Sequence, residues 1–242
     1  MKVICEMLRY QYKQYMMSAK WVMPFIILLG ALGMLYSIAP VEIVDSFSIT
    51  GLFLFVIMVW IGMTIQGVES EVSEQVMILR IKSDWKYYLC HITFIVCICV
   101  AVTGISIVYP ILVHIRNGNA LFSRQLIWSD FVGGGLIMFA CSFVGGMAGE
   151  LFHVRIVKNR SAGIGLTFLI ALLAVCRNGV IAEYAFTKYI LWVVPPISDV
   201  VSWFTRDSYY NMGEVMGGFL LLLIYGVVMA ACKVELLRRV KF

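Results

Sequence analysis

The chain has 242 residues, of which 62% are hydrophobic and 14% charged, and a formal net charge of +5. A soluble domain holds roughly 45–50% apolar and about 25% charged residues, so this chain has too little polar surface to coat a water-facing globule. Its Lys and Arg residues lie in short clusters between apolar runs, as in a membrane protein, which speaks against a nucleic-acid binder.

Residues 1–21 come first and are polar on one face only. At about 100° per residue, Lys2, Glu6, Arg9, Lys13 and Lys20 fall within a sector of about 60°, with Ile4, Met7, Leu8 and Tyr15 opposite. The pattern predicts an amphipathic helix at the membrane interface, its basic stripe toward lipid headgroups or a partner; a plain anchor for the first span fits it too. The early charges argue against a cleavable signal peptide.

Apolar runs follow near residues 22–38, 49–68, 89–113, 131–152, 162–176 and 215–232. A spanning helix needs about 20 such residues, so the fifth is short and the third long enough to tilt. None alternates as barrel strands do. The expectation is an all-α polytopic membrane protein: one transmembrane domain with six helices. The seven cysteines include Cys97 and Cys99 inside an apolar run, which reads as core packing rather than a disulfide or metal framework.

Six spans put both termini and the second and fourth connections on one side. That side carries Lys2, Arg9, Lys13, Lys20, Arg80, Lys82, Lys86, Arg155, Lys158, Arg160, Lys233, Arg238, Arg239 and Lys241. The other carries only Arg116, Arg124, Arg177, Lys188 and Arg206, while acidic residues divide evenly. The positive-inside rule places both termini in the cytoplasm, in a plasma-membrane protein.

Two connections are unusual. In the second, Glu69, Glu71 and Glu74 lead, Val76–Leu79 and Ile81 form an apolar patch, and Arg80, Lys82 and Lys86 close it. Acids at the start and bases at the end favour a short helix. The fifth, from Asn178 to Glu214, is rich in apolar and aromatic residues but broken at Pro195-Pro196. It reads as two interfacial or re-entrant pieces.

With these parts in this order, the chain resembles the permease subunits of type-2 ABC exporters. The stretch that carries the resemblance is Glu71-x-x-Glu74-Gln75, then Val76–Leu79, then Ser83-Asp84-Trp85-Lys86; Ile81-Lys82 stands where the family often has a proline. The resemblance implies a coupling helix around Glu69–Trp85, docked on a separate nucleotide-binding ATPase, with Glu71, Glu74, Arg80 and Lys82 setting register by charge. It also implies a second permease copy, as homodimer or heterodimer. No G-x-x-x-x-G-K-[ST] occurs in the chain, so no cofactor is expected on it; ATP and Mg would be bound by the partner.

Within the spans, Gly145-x-x-x-Gly149 suits either helix packing or a dimer seam. Glu150 is expected to pair with Arg155 or His153 near the interface. Thr64, Gln66 and Ser142 are candidates to line a pathway, though interhelical hydrogen bonding is the more ordinary use. A largely apolar path suits a hydrophobic or amphipathic cargo: an antimicrobial peptide, a lipid or a drug. The alternative is an ion- or proton-coupled carrier, which would want charges at mid-membrane. An intramembrane enzyme is disfavoured, because the three histidines lie at span ends or in a loop.

Overall fold

The computed structural model describes residues 2–68, 71–81, 83–153, 155–157, 159–184, 186–204 and 208–239, with side chains omitted at 2–4 and 71. Among these residues the structure is all helical, apart from an isolated bridge between Val41 and Phe122. The helices are α1 (Lys2–Met17), α2 (Val22–Leu35), α3 (Ile43–Gln66), α4 (Glu71–Ile81), α5 (Asp84–Arg116), α6 (Trp128–Leu151), α7 (Arg160–Glu183), α8 (Thr187–Ile190), α9 (Ile197–Phe204) and α10 (Met212–Arg239). A 3₁₀ turn, Leu191–Val193, follows α8.

Five helices, α3, α5, α6, α7 and α10, are long and apolar enough to cross a membrane. The fourteen residues of α2 rise only about 21 Å, yet α2 also joins the two ends of the bundle. Just before it, Lys20 Nζ donates to the Gly67 carbonyl at 2.5 Å, beyond the end of α3. After it, the Val41 N–H donates to the Leu121 carbonyl at 2.9 Å at the opposite end. The chain thus has five helices that can span and, counting α1 and α2 as one bent pair, up to six, as a multi-pass α-helical membrane protein does.

The described helices run past several of the expected limits. The helix of span two begins at Ile43, and Ser46 in its first turn donates its hydroxyl to the Ile43 carbonyl. Span three runs from Asp84 to Arg116, about 50 Å of helix against a hydrocarbon core of about 30 Å, so its ends project. Span five is not short. It continues through Arg177, whose buried guanidinium lies 3.3 Å from Asp199 of α9. The broken hydrophobic loop is accordingly shorter than its sequence suggests, and starts near Tyr184. Its two pieces are α8 with the 3₁₀ turn, exposing Tyr189, Trp192 and Val193, and α9, burying Ile197, Val200, Val201 and Phe204.

At the centre stands α6, whose glycines let α3 approach at backbone distance. A Cβ added at Gly145 would lie 2.4 Å from the Phe55 carbonyl oxygen, and one at Gly149 2.3 Å from that of Val59. Only a residue without a side chain fits at either point.

The first and last helices, α1 and α10, meet at one end of the bundle. Met7 of α1, Tyr87, Tyr88 and Cys90 of α5, and Val234 and Leu237 of α10 form a buried cluster, with Met77, Ile78 and Ile81 of α4 against it. Arg9, Lys13, Arg80, Lys86, Arg155, Arg160, Arg238 and Arg239 belong to the same end, which we call the basic end. The axes of α1 and α2 differ by 78°, so α1 crosses the bundle rather than extending it. Its face of Met7, Gln11 and Tyr15 is buried on the bundle, Tyr15 edge-on to Phe94 of α5, while Glu6, Arg9 and Lys13 stay exposed.

Candidate functional site

Two features concentrate polar chemistry at the basic end. The first is a buried chain of hydrogen bonds. Glu150, second from the end of α6, is fully enclosed. One carboxylate oxygen receives Lys233 Nζ from α10, and the other lies 2.6 Å from His91 Nε2 of α5. His91 Nδ1 in turn lies 3.3 Å from Gln11 Nε2 of α1. A neutral imidazole protonated on Nε2 satisfies every contact: Gln11 donates to Nδ1, and Nε2–H donates to Glu150. One carboxylate therefore ties together α1, α5, α6 and α10.

The expected partners of Glu150, Arg155 and His153, do other work. Arg155 lies 2.5 Å from Glu74 of α4, both side chains buried. His153 accepts at Nδ1 from the Arg155 backbone N–H at 3.3 Å. Burial, followed by the nearby charges of Lys233 and Arg155, pushes its pKa down to about 4. The sequence could not choose among these partners, because Lys233 lies 83 residues from Glu150 and His91 lies 59 away.

The second feature is a cavity of about 700 Å³ between the basic ends of α3, α6 and α7. Thr64, Gln66 and Gly149 line it, as do Lys20, Glu74 and Arg160. Two of the three proposed pathway residues thus reach one cavity, although Gln66 Nε2 also donates to the Gly149 carbonyl at 2.8 Å and Thr64 to that of Ile61. Ser142 is elsewhere: fully buried, donating to the Met138 carbonyl at 2.7 Å and 3.5 Å from Thr103. Gly145 and Gly149 face α3 within the chain.

The remaining candidates lie on or beside α4. Val72, Val76 and Leu79 are 68%, 56% and 75% exposed and share one face, at i, i+4 and i+7. Arg80 is exposed beside them. Glu74 points inward to Arg155, so it is not available to an outside partner. Of the four charges expected to set register, Glu74 is thus turned inward and Arg80 outward. Trp85 supports Arg238, whose guanidinium sits 5.1 Å from its ring. Glu69 and Lys82 lie outside the described residues, as does the Glu71 side chain. Among the described residues no cluster of three or more His, Cys, Asp or Glu could hold a metal ion.

Compared with known protein families, with curated proteins and with solved structures, the chain matches none of them.

Proposed function

We propose that this chain is the permease subunit of a type-2 ABC exporter in the plasma membrane, its basic end in the cytoplasm. The observation that carries the reading is α4: a helix of eleven residues, too short to span, with an inner face fixed to the bundle and an outer apolar stripe of Val72, Val76 and Leu79. An exposed apolar stripe on a helix packed against the charged end of a membrane protein suits a groove on a soluble partner. In this reading the partner is the nucleotide-binding ATPase, which holds ATP and Mg, and α4 is the coupling helix. A second permease copy completes the transporter. The cargo is hydrophobic or amphipathic, such as an antimicrobial peptide, a lipid or a drug, moved outward for self-protection among other uses.

Motion has a route in this arrangement. In this reading a push on α4 would reach the segment after α6 through Glu74 and Arg155, and the Gln11–His91–Glu150–Lys233 chain would pass it from α6 to α1, α5 and α10. The test is purification of the chain with its ATPase and the stoichiometry of the complex, alongside the Val76→Asp/Leu79→Asp variant. Loss of association and of transport-stimulated ATP hydrolysis is expected. A chain that purifies alone and moves no cargo with ATP overturns the proposal.

One observation favours a second reading, an ion- or proton-coupled carrier: Glu150 is an enclosed carboxylate between two basic groups. That reading requires transport to collapse when the ion gradient is dissipated with ATP still present.

A further inference from the structure

The cavity between α3, α6 and α7 joins two kinds of surface. At its inner side two cations converge on Gly67, where an added Cβ would meet Lys20 Nζ at 3.2 Å and Arg160 Nη2 at 3.7 Å. Among the described residues neither cation has an acid within ion-pair distance, and the cavity's own acid, Glu74, is engaged by Arg155. The rest of the lining includes the apolar Trp60, Met63, Ile164 and Phe168, the last two following Arg160 at i+4 and i+8 on α7. Ile164 and Phe168 are exposed on the flank of α7, and Leu172 continues their row at the same i+4 spacing. The cavity is thus cationic at one end and continues along an exposed apolar strip of α7. Its volume suits a head group and the start of a chain, with the rest of that chain lying along α7.

From this we infer that the cavity binds an acidic amphiphile, its phosphate or carboxylate head against Lys20 and Arg160 and its hydrocarbon along Ile164, Phe168 and Leu172. The inference rests on the exporter reading only in calling that molecule a cargo; binding stands or falls without it.

The experiment uses the full chain in a neutral detergent and native mass spectrometry to count retained ligand. The probes are dioleoylphosphatidic acid, dioleoylphosphatidylcholine and inorganic phosphate. Phosphatidic acid should be retained in clear preference to phosphatidylcholine. Arg160→Gln, at an exposed position, should weaken it about five-fold, and Lys20→Gln/Arg160→Gln about twenty-fold or more. Phe168→Ala should weaken both lipids, and Arg238→Gln, a basic-end change away from the cavity, neither. Equal retention of the two lipids overturns the inference. So does an Arg238→Gln effect as large as that of Arg160→Gln, or retention of inorganic phosphate as strong as that of phosphatidic acid. Acidic-lipid binding by a chain that associates with no ATPase would keep this site and remove the exporter reading; ATPase coupling without such binding would do the reverse.

Discussion

Glu150 of α6 and Lys233 of α10 form an ion pair that is closed to solvent on both sides, and His91 shares the same carboxylate. Charges this deep are tolerable only as a set, because each would be costly to bury alone.

Removing one member should therefore be severe. Lys233→Met leaves the Glu150 charge with His91 alone and should destabilise the chain by about 3–5 kcal/mol. Glu150→Gln/Lys233→Met, which removes both charges, should recover much of the loss. Thermal unfolding of the purified variants in one detergent measures this, and a double variant as unstable as the single would refute the pairing.

The glycines of α6 allow a sharper packing test. Gly145→Ala and Gly149→Ala each drive a methyl into an α3 carbonyl and should cost about 1–3 kcal/mol or more. Gly104→Ala, on α5 with nothing within 4 Å of the new methyl, should be neutral or slightly stabilising. Equal effects at all three sites would mean that α3 and α6 do not meet as described.

Stability and coupling should separate on α4. Leu79→Asp alters an exposed side chain and should change stability by no more than about 0.5 kcal/mol while, on the exporter proposal, abolishing ATPase association. Glu74→Ala instead removes the acid that pairs with the buried Arg155 guanidinium and should destabilise by about 3 kcal/mol. Size-exclusion chromatography and melting curves, run beside ATPase association, distinguish the two.

His153 predicts a pH dependence. Its pKa falls from 6.5 to about 4 on folding, so the unfolded chain binds the extra proton between those values. Its contribution is fully present above pH 6.5 and is lost as the pH falls toward 4. His153→Gln should flatten the melting temperature over that window; an unchanged slope would show that His153 does not supply it.

Much of this arrangement is legible in the sequence. Continuous apolar runs, the 3.6-residue period of α1, the acid-to-base order of α4 and the Pro195-Pro196 break each follow from local physical chemistry. Boundaries were less so. Arg177 reads as the end of a span, yet it stays in the helix because Asp199, 22 residues later, is folded back to meet it. The amphipathic face of α1 was visible too, but not that it would settle on α5.

The sequence by itself determined that the chain is helical and membrane-borne, and that its basic residues gather on one side, because hydropathy and charge act through short windows of chain. Only the tertiary structure decided the partners: Lys233 and His91 for Glu150, Arg155 for Glu74, and Lys20 with Arg160 around Gly67. Burial of charge demands some partner, but which one is set by the helix ends that α6 and its glycines bring side by side.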